Sequence, residues 1–178
     1  MMDSTEFTEI GKMAFRVNGN LDINFQGLDL NCGFYCLEAV MRWKHGTPYG
    51  LGAGGIQRNA HTAAVQSDMN AWYKIGFNPG NHQNDYGLVP LVKPQNAAGW
   101  EAHLRNYGPL IVAGHIGAVR IIPLMEAGHY IVVVGVNANN EIEYYDPLRP
   151  WHALGGEPAT LSETKFDELA YNDVYSAQ

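Results

Sequence analysis

The chain is short of charge and of cysteine, and each shortage narrows what it can be. Only 16% of its 178 residues are Asp, Glu, Lys or Arg, against 46% hydrophobic, which is the composition of a folded chain with a real core. The 11 Lys and Arg form no run, and the formal net charge is -7. A surface that follows phosphates needs clustered positive charge, so nucleic acid is not an expected partner, and an anionic membrane surface is disfavoured for the same reason. The longest apolar stretches, around 131–136, fall far short of the ~20 residues that span a bilayer. The start, MMDSTEFTEI, lacks a basic segment leading into an apolar one, so no secretory signal is read; nor is there an internal repeat or a lipidation motif. Synthesis in the cytoplasm is the expectation.

The two cysteines, Cys32 and Cys36, stand four apart. On one helix they would share a face, yet lie too far apart for a relaxed disulfide. With no disulfide framework, a reducing compartment fits best. A metal site built on the pair would need a second Cys/His pair at zinc spacing, which the sequence does not offer. His82 and Asp85 are close in sequence, but two such residues in a loop are ordinarily solvated. The glycines between 50 and 55 lack the Lys-Ser/Thr of a phosphate loop. The expected cofactor set is therefore empty.

What the chain does have is organisation. Its length suits a single domain, 1–178, with an N-terminal arm over 1–25 and a Gly/Asn-rich insertion over 47–95. A short strand is expected near 13–17. A helix follows over 32–44, with Cys36, Leu37, Val40, Met41 and Trp43 as its apolar stripe, Asn31 or Asp29 as cap and Gly46 as its end. The segment 46–55 reads as a loop, 61–74 as a second helix, and 77–94 as a turn-rich excursion. A third helix over 97–106 is capped by Asn96. The second half changes character: 109–113 and 130–136 are β-branched and apolar, 141–145 alternates, and 137–140 makes a hairpin turn. Ser162 caps a helix to 169, and 173–176 closes as a strand. Helices first and an antiparallel sheet after is an α+β arrangement.

Four residues carry candidate chemistry. Cys32 opens the first helix, where unpaired N–H groups and the helix dipole favour a thiolate, the nucleophilic form. Gly33 beside it leaves room for a substrate backbone. Cys36, one turn deeper in the stripe, reads as core, since apolar burial raises a thiol pKa and dulls it. His129 opens the most apolar strand, GHYIVVVGV. Six other histidines, His45, His61, His82, His103, His115 and His152, open no comparable strand. Asp146 ends the next strand, 17 residues on, where Pro147 stops the ladder. If those strands pair through the 139–140 turn, the carboxylate reaches the imidazole and sets its tautomer. Gln26, six residues before Cys32, can donate its amide to an oxyanion beside the Cys32 N–H. Taken singly each has a plainer reading: a buried thiol, a strand-end His, an Asp-Pro turn, a loop Gln.

Taken in order, Gln26, NCGFYCLEAVMRW, YGPLIVAGH and GHYIVVVGVNANNEIEYYDPL resemble the papain-like clan of cysteine peptidases. The segments are similar to bacteriocin-leader-processing peptidase domains and to bacterial effector proteases of plant pathogens. The likeness runs from Gln26 to about Leu169. It implies the papain-like fold and a thiol hydrolase with Cys32, His129 and Asp146 as triad, Gln26 in the oxyanion hole, and a thioester intermediate. The implied substrate is a protein, a peptide or peptidoglycan. An effector or toxin role would bring export by a dedicated secretion system and a cognate inhibitor or immunity protein. The same order of residues also serves transglutaminases and glutamine deamidases, and a non-catalytic peptide-binding module remains a third reading.

Overall fold

In the computed structural model, residues 14–19, 21–25, 32–46, 78–116 and 128–178 are described. The first long element, α1 (Cys32–His45), forms where the apolar stripe was read: Cys36, Leu37, Val40 and Met41 are buried and Trp43 partly so. Arg42, Lys44 and His45 occupy its last turn, where positive charge complements the helix dipole. Gly46 follows at φ 79, a left-handed conformation that suits a residue with no Cβ. Residues 21–25 strap along this helix. Leu21 and Ile23 are buried in the same cluster, and Asn24 Nδ2 donates to the buried Glu38 at 2.8 Å. Arg42 also donates to Glu38, at 3.2 Å, so the carboxylate inside the helix packing is paired.

Among the described residues seven strands make one antiparallel sheet: β1 (Phe15–Arg16), β2 (Leu88–Leu91), β3 (Leu110–Gly114), β4 (His129–Val136), β5 (Glu141–Tyr145), β6 (Ala159–Ser162) and β7 (Ala170–Ala177). The order is β2-β7-β3-β4-β5-β6, and β1 pairs with the far end of β4 at Gly135 and Val136. A 3₁₀ turn at Pro79–His82 leads into α2 (Gln83–Tyr86). The remaining helices among the described residues are α3 (Ala97–Tyr107), α4 (Pro150–Ala153) and α5 (Glu163–Leu169). Asn96 caps α3 by accepting from the Gly99 N–H at 2.8 Å, and Ser162 caps α5 by accepting from Lys165 at 3.4 Å.

The sheet is the middle of three layers. On one face, Phe34, Leu37 and Val40 of α1 pack with Ile111, Val132, Val134 and Tyr175. On the other, Trp100 and Leu104 of α3 and Phe166 of α5 pack with Leu110, Ile131, Val133 and Ile142. Alternate residues of β4 serve alternate faces, which is why that strand is apolar along its length. Gly108 ends α3 at φ 78, and the Trp43 ring lies so close that any Cβ there would overlap it.

The α+β order holds, and the elements expected over 32–44, 97–106, 109–113, 130–136, 141–145 and 162–169 form within a residue or so of those bounds. Three features differ. The stretch 88–91, inside the expected excursion 77–94, is the edge strand β2. Pro90 has no N–H to give a second neighbour and is tolerated because, among the described residues, β2 pairs with β7 alone. The closing strand, expected over 173–176, spans Ala170–Ala177, and it lies between β2 and β3. The four-residue β6 went unread, being too short to show a period. The loop and helix expected over 47–74 lie outside the described residues. No helix among the described residues is long and apolar enough to cross a membrane.

Candidate active site

The hairpin of β4 and β5 brings the site together. Val132 pairs with Tyr145, so the start of β4 and the end of β5 emerge at the same edge of the sheet. There His129 Nε2 meets Asp146 Oδ1 at 2.7 Å. The His129 side chain is 7% exposed and that of Asp146 0%, so the bond is shielded from competing water. The N-terminus of α1 arrives over the same edge, with Cys32 as its first residue and only half-buried. The Tyr130 N–H donates to Cys32 Sγ at 3.4 Å, which places the sulfur against the residue that follows His129. Three of the four sequence candidates, Cys32, His129 and Asp146, thus stand at one place. Gln26 lies outside the described residues.

The electrostatics follow from that packing. Burial works against a charged His129 ring, but hydrogen bonds to Asp146 and to Cys32, and the charges of both, outweigh it and hold the pKa at about 9. The imidazolium is therefore the stable form at neutral pH when the thiol beside it is ionised. Cys36 differs: full burial first, then the charges of Cys32 and Asp146, push its thiol well above the ordinary range. It is core, as the sequence indicated. At the mouth of α1 the first-turn N–H groups have no carbonyl within the helix to bond, which leaves the Cys32 N–H able to serve an oxyanion.

Three contributors went unnoticed in the sequence. One is the Tyr130 main chain, which no side-chain pattern can announce. The second is Arg149, whose Nε lies 3.4 Å from Asp146 Oδ2, while its guanidinium stands 5.5 Å from the Trp151 ring centre and 5.7 Å from that of Tyr144. Oδ2 makes no hydrogen bond among the described residues, so Arg149 acts on it as a charge rather than as a donor. The third is His152, 1% exposed, whose Nδ1 lies 2.8 Å from the Asp146 main-chain N. Pro147 and Pro150 were the available signal, since two prolines three apart force the turn that returns His152 to Asp146. Asp146 Oδ1 also accepts from the Leu148 N–H at 2.9 Å, the side-chain turn expected of an Asp-Pro sequence. Among the described residues no group of three His, Cys, Asp or Glu is placed to share a metal ion.

A thiol at the head of a helix packed on an antiparallel sheet, beside a buried His–Asp pair, is the architecture of a papain-like thiol hydrolase. Residues 39–154, about two thirds of the chain, match the family described as papain-like cysteine protease AvrRpt2. The chain belongs to that family and is a cysteine peptidase. The matched stretch contains His129 and Asp146 and begins after Gln26 and Cys32. No curated protein matches the chain.

Proposed function

We propose that the protein hydrolyses peptide bonds with Cys32 as nucleophile, His129 as acid and base, Asp146 as its orienter and Gln26 as oxyanion donor. The observation that carries this is the buried 2.7 Å bond between His129 Nε2 and Asp146 Oδ1 beside a half-buried thiol at a helix start. With Nε2 committed to Asp146, Nδ1 is the nitrogen left for the thiol. His129 takes the Cys32 proton, giving a thiolate–imidazolium pair. The sulfur attacks the amide carbonyl carbon, a C–S bond forms, and the carbonyl electrons move to oxygen. That oxyanion is held by the Cys32 N–H and the Gln26 amide. The C–N bond breaks as the imidazolium gives its proton to the leaving nitrogen, and a thioester remains. His129 then takes a proton from water, the hydroxide attacks, the C–S bond breaks, and the thiolate returns with a carboxylic acid as product.

The likeness of the sequence motifs to bacterial effector proteases supports a host protein as substrate. It also supports synthesis in the cytoplasm followed by export through a dedicated secretion system. The test of the site is the pH profile of alkylation by iodoacetamide, with the labelled cysteine assigned by peptide mass. An ordinary thiol of pKa about 8.5 is only about 1% thiolate at pH 6.5. Cys32 should label at least about tenfold faster there than such a thiol, and His129→Ala should abolish the advantage. An ordinary profile, indifferent to the substitution, would sink the assignment.

A further inference from the structure

Asp146 is where the sheet ladder runs out. Tyr145 pairs with Val132, Pro147 has no N–H, and Asp146 itself is 0% exposed, so its main-chain N–H cannot turn to solvent. The acceptor is His152 Nδ1, 2.8 Å away. A main-chain N–H only donates, so Nδ1 must present its lone pair and the ring proton must sit on Nε2. Nε2 is buried with no hydrogen-bond partner among the described residues, so its proton is left unbonded here; the other arrangement, Nδ1–H toward the Asp146 carbonyl at 3.3 Å, has the longer bond and leaves both the Asp146 N–H and the Nε2 lone pair unbonded. Burial, the largest influence on this ring, favours its neutral form, as does the Arg149 charge, against a raising influence from Asp146. The ring is wedged edge-on against Tyr145 at 5.1 Å and Trp151 at 5.8 Å between centres, which leaves it little freedom. Two main-chain bonds close the same turn, Arg149 N to Asp146 O and His152 N to Arg149 O, both 3.0 Å.

We propose that His152 is the positioning residue of the active site: as a neutral acceptor it pins the Asp146 main chain, and so holds the carboxylate in the one orientation that reaches His129. The proposal rests on the Cys32–His129–Asp146 reading above. His152 touches no reacting atom; it acts through Asp146. Without the pin, the buried N–H lacks a partner, the turn loosens, and the bond that sustains the His129 charge weakens.

Two measurements on the intact protein test this. In the wild type, long-range proton–nitrogen NMR should find His152 neutral with its proton on Nε2; a proton on Nδ1 would overturn the proposal without any variant. The ionisation of His129, followed by NMR on labelled histidine and assigned with His129→Ala, should then be compared in His152→Asn and His152→Leu. Asn keeps an acceptor for the Asp146 N–H and should stay near the wild-type value of about 9. Leu should move the His129 ionisation down by about one pH unit or more, and slow Cys32 alkylation at neutral pH accordingly. An unmoved His129 in folded His152→Leu overturns the proposal while leaving the triad standing, as does a His152→Asn protein that is folded but no better than Leu. Should His152→Leu fail to fold, the tautomer and His152→Asn still decide. A wild type whose Cys32 labels like a free thiol overturns both readings.

Discussion

The first and second turns of α1 carry the same side chain in opposite settings. Cys32 is half-buried, receives the Tyr130 N–H and acts on the His129 ring. Cys36, one turn on, is 0% exposed in an apolar cluster with Leu37, Val40 and Ile111. Neither residue type nor helix membership separates them. What separates them is that the first turn lies at the helix end, where N–H groups have no carbonyl within the helix to bond, and overhangs the open end of the β4–β5 hairpin. The second turn has spent its donors and faces the sheet. Reactivity here is assigned by neighbours from distant parts of the chain: Tyr130 is 98 residues from Cys32.

The comparison breaks most sharply on exchange of the two thiols for alanine. Cys32→Ala should abolish peptide hydrolysis and the fast alkylation, with denaturant stability within about 0.5 kcal/mol of wild type. Cys36→Ala should do the reverse, keeping the Cys32 labelling profile and losing about 1–2 kcal/mol of stability to the cavity left in the core. If Cys36 instead accounted for the fast label, the contrast would be void. A smaller effect sharpens the role of the first turn. If Gln26 is the proposed oxyanion donor, Gln26→Ala should lower kcat about 10²–10³-fold with KM little changed, because such a donor acts on charge that develops only in the transition state. A loss confined to KM would place Gln26 in substrate binding.

A further effect is in stability against pH. The folded protein holds the His129 proton more tightly than the unfolded chain, with a pKa of about 9 against the ordinary 6.5. That contribution is complete below about pH 6.5 and is lost as pH rises through about 9. Urea midpoints across this window should therefore fall more in the wild type than in His129→Ala. Equal slopes in the two proteins would mean that the folded site does not retain the proton.

Much of the fold could be read locally. The stripe of α1, the Asn96 and Ser162 caps and the β-branched runs of β3 and β4 each follow from neighbours a few residues apart. The edge strand at 88–91 was hidden by Gly87, Pro90 and Pro94, whose turn signals are local while the pairing with β7 that overrides them is not. Three residues of the proposed site were readable because each sits at an element boundary: Cys32 at a helix start, His129 at a strand start, Asp146 at a strand end before proline. His152 was passed over because it marks no such boundary, only a short helix between two prolines and a glycine.

By itself, then, the sequence determined most of the described elements, the caps of α3 and α5 and the turn joining β4 to β5, because propensity, period and turn chemistry act within a few residues. It also set which side chains stand at the ends of those elements. Only the tertiary structure decided which ends meet. The approach of the α1 N-terminus to β4, the insertion of β7 into the sheet between β2 and β3, and the return of His152 to the Asp146 N–H depend on packing two cores against one sheet. They depend equally on finding partners for buried polar groups, and those partners lie too far apart in sequence to leave a local signature.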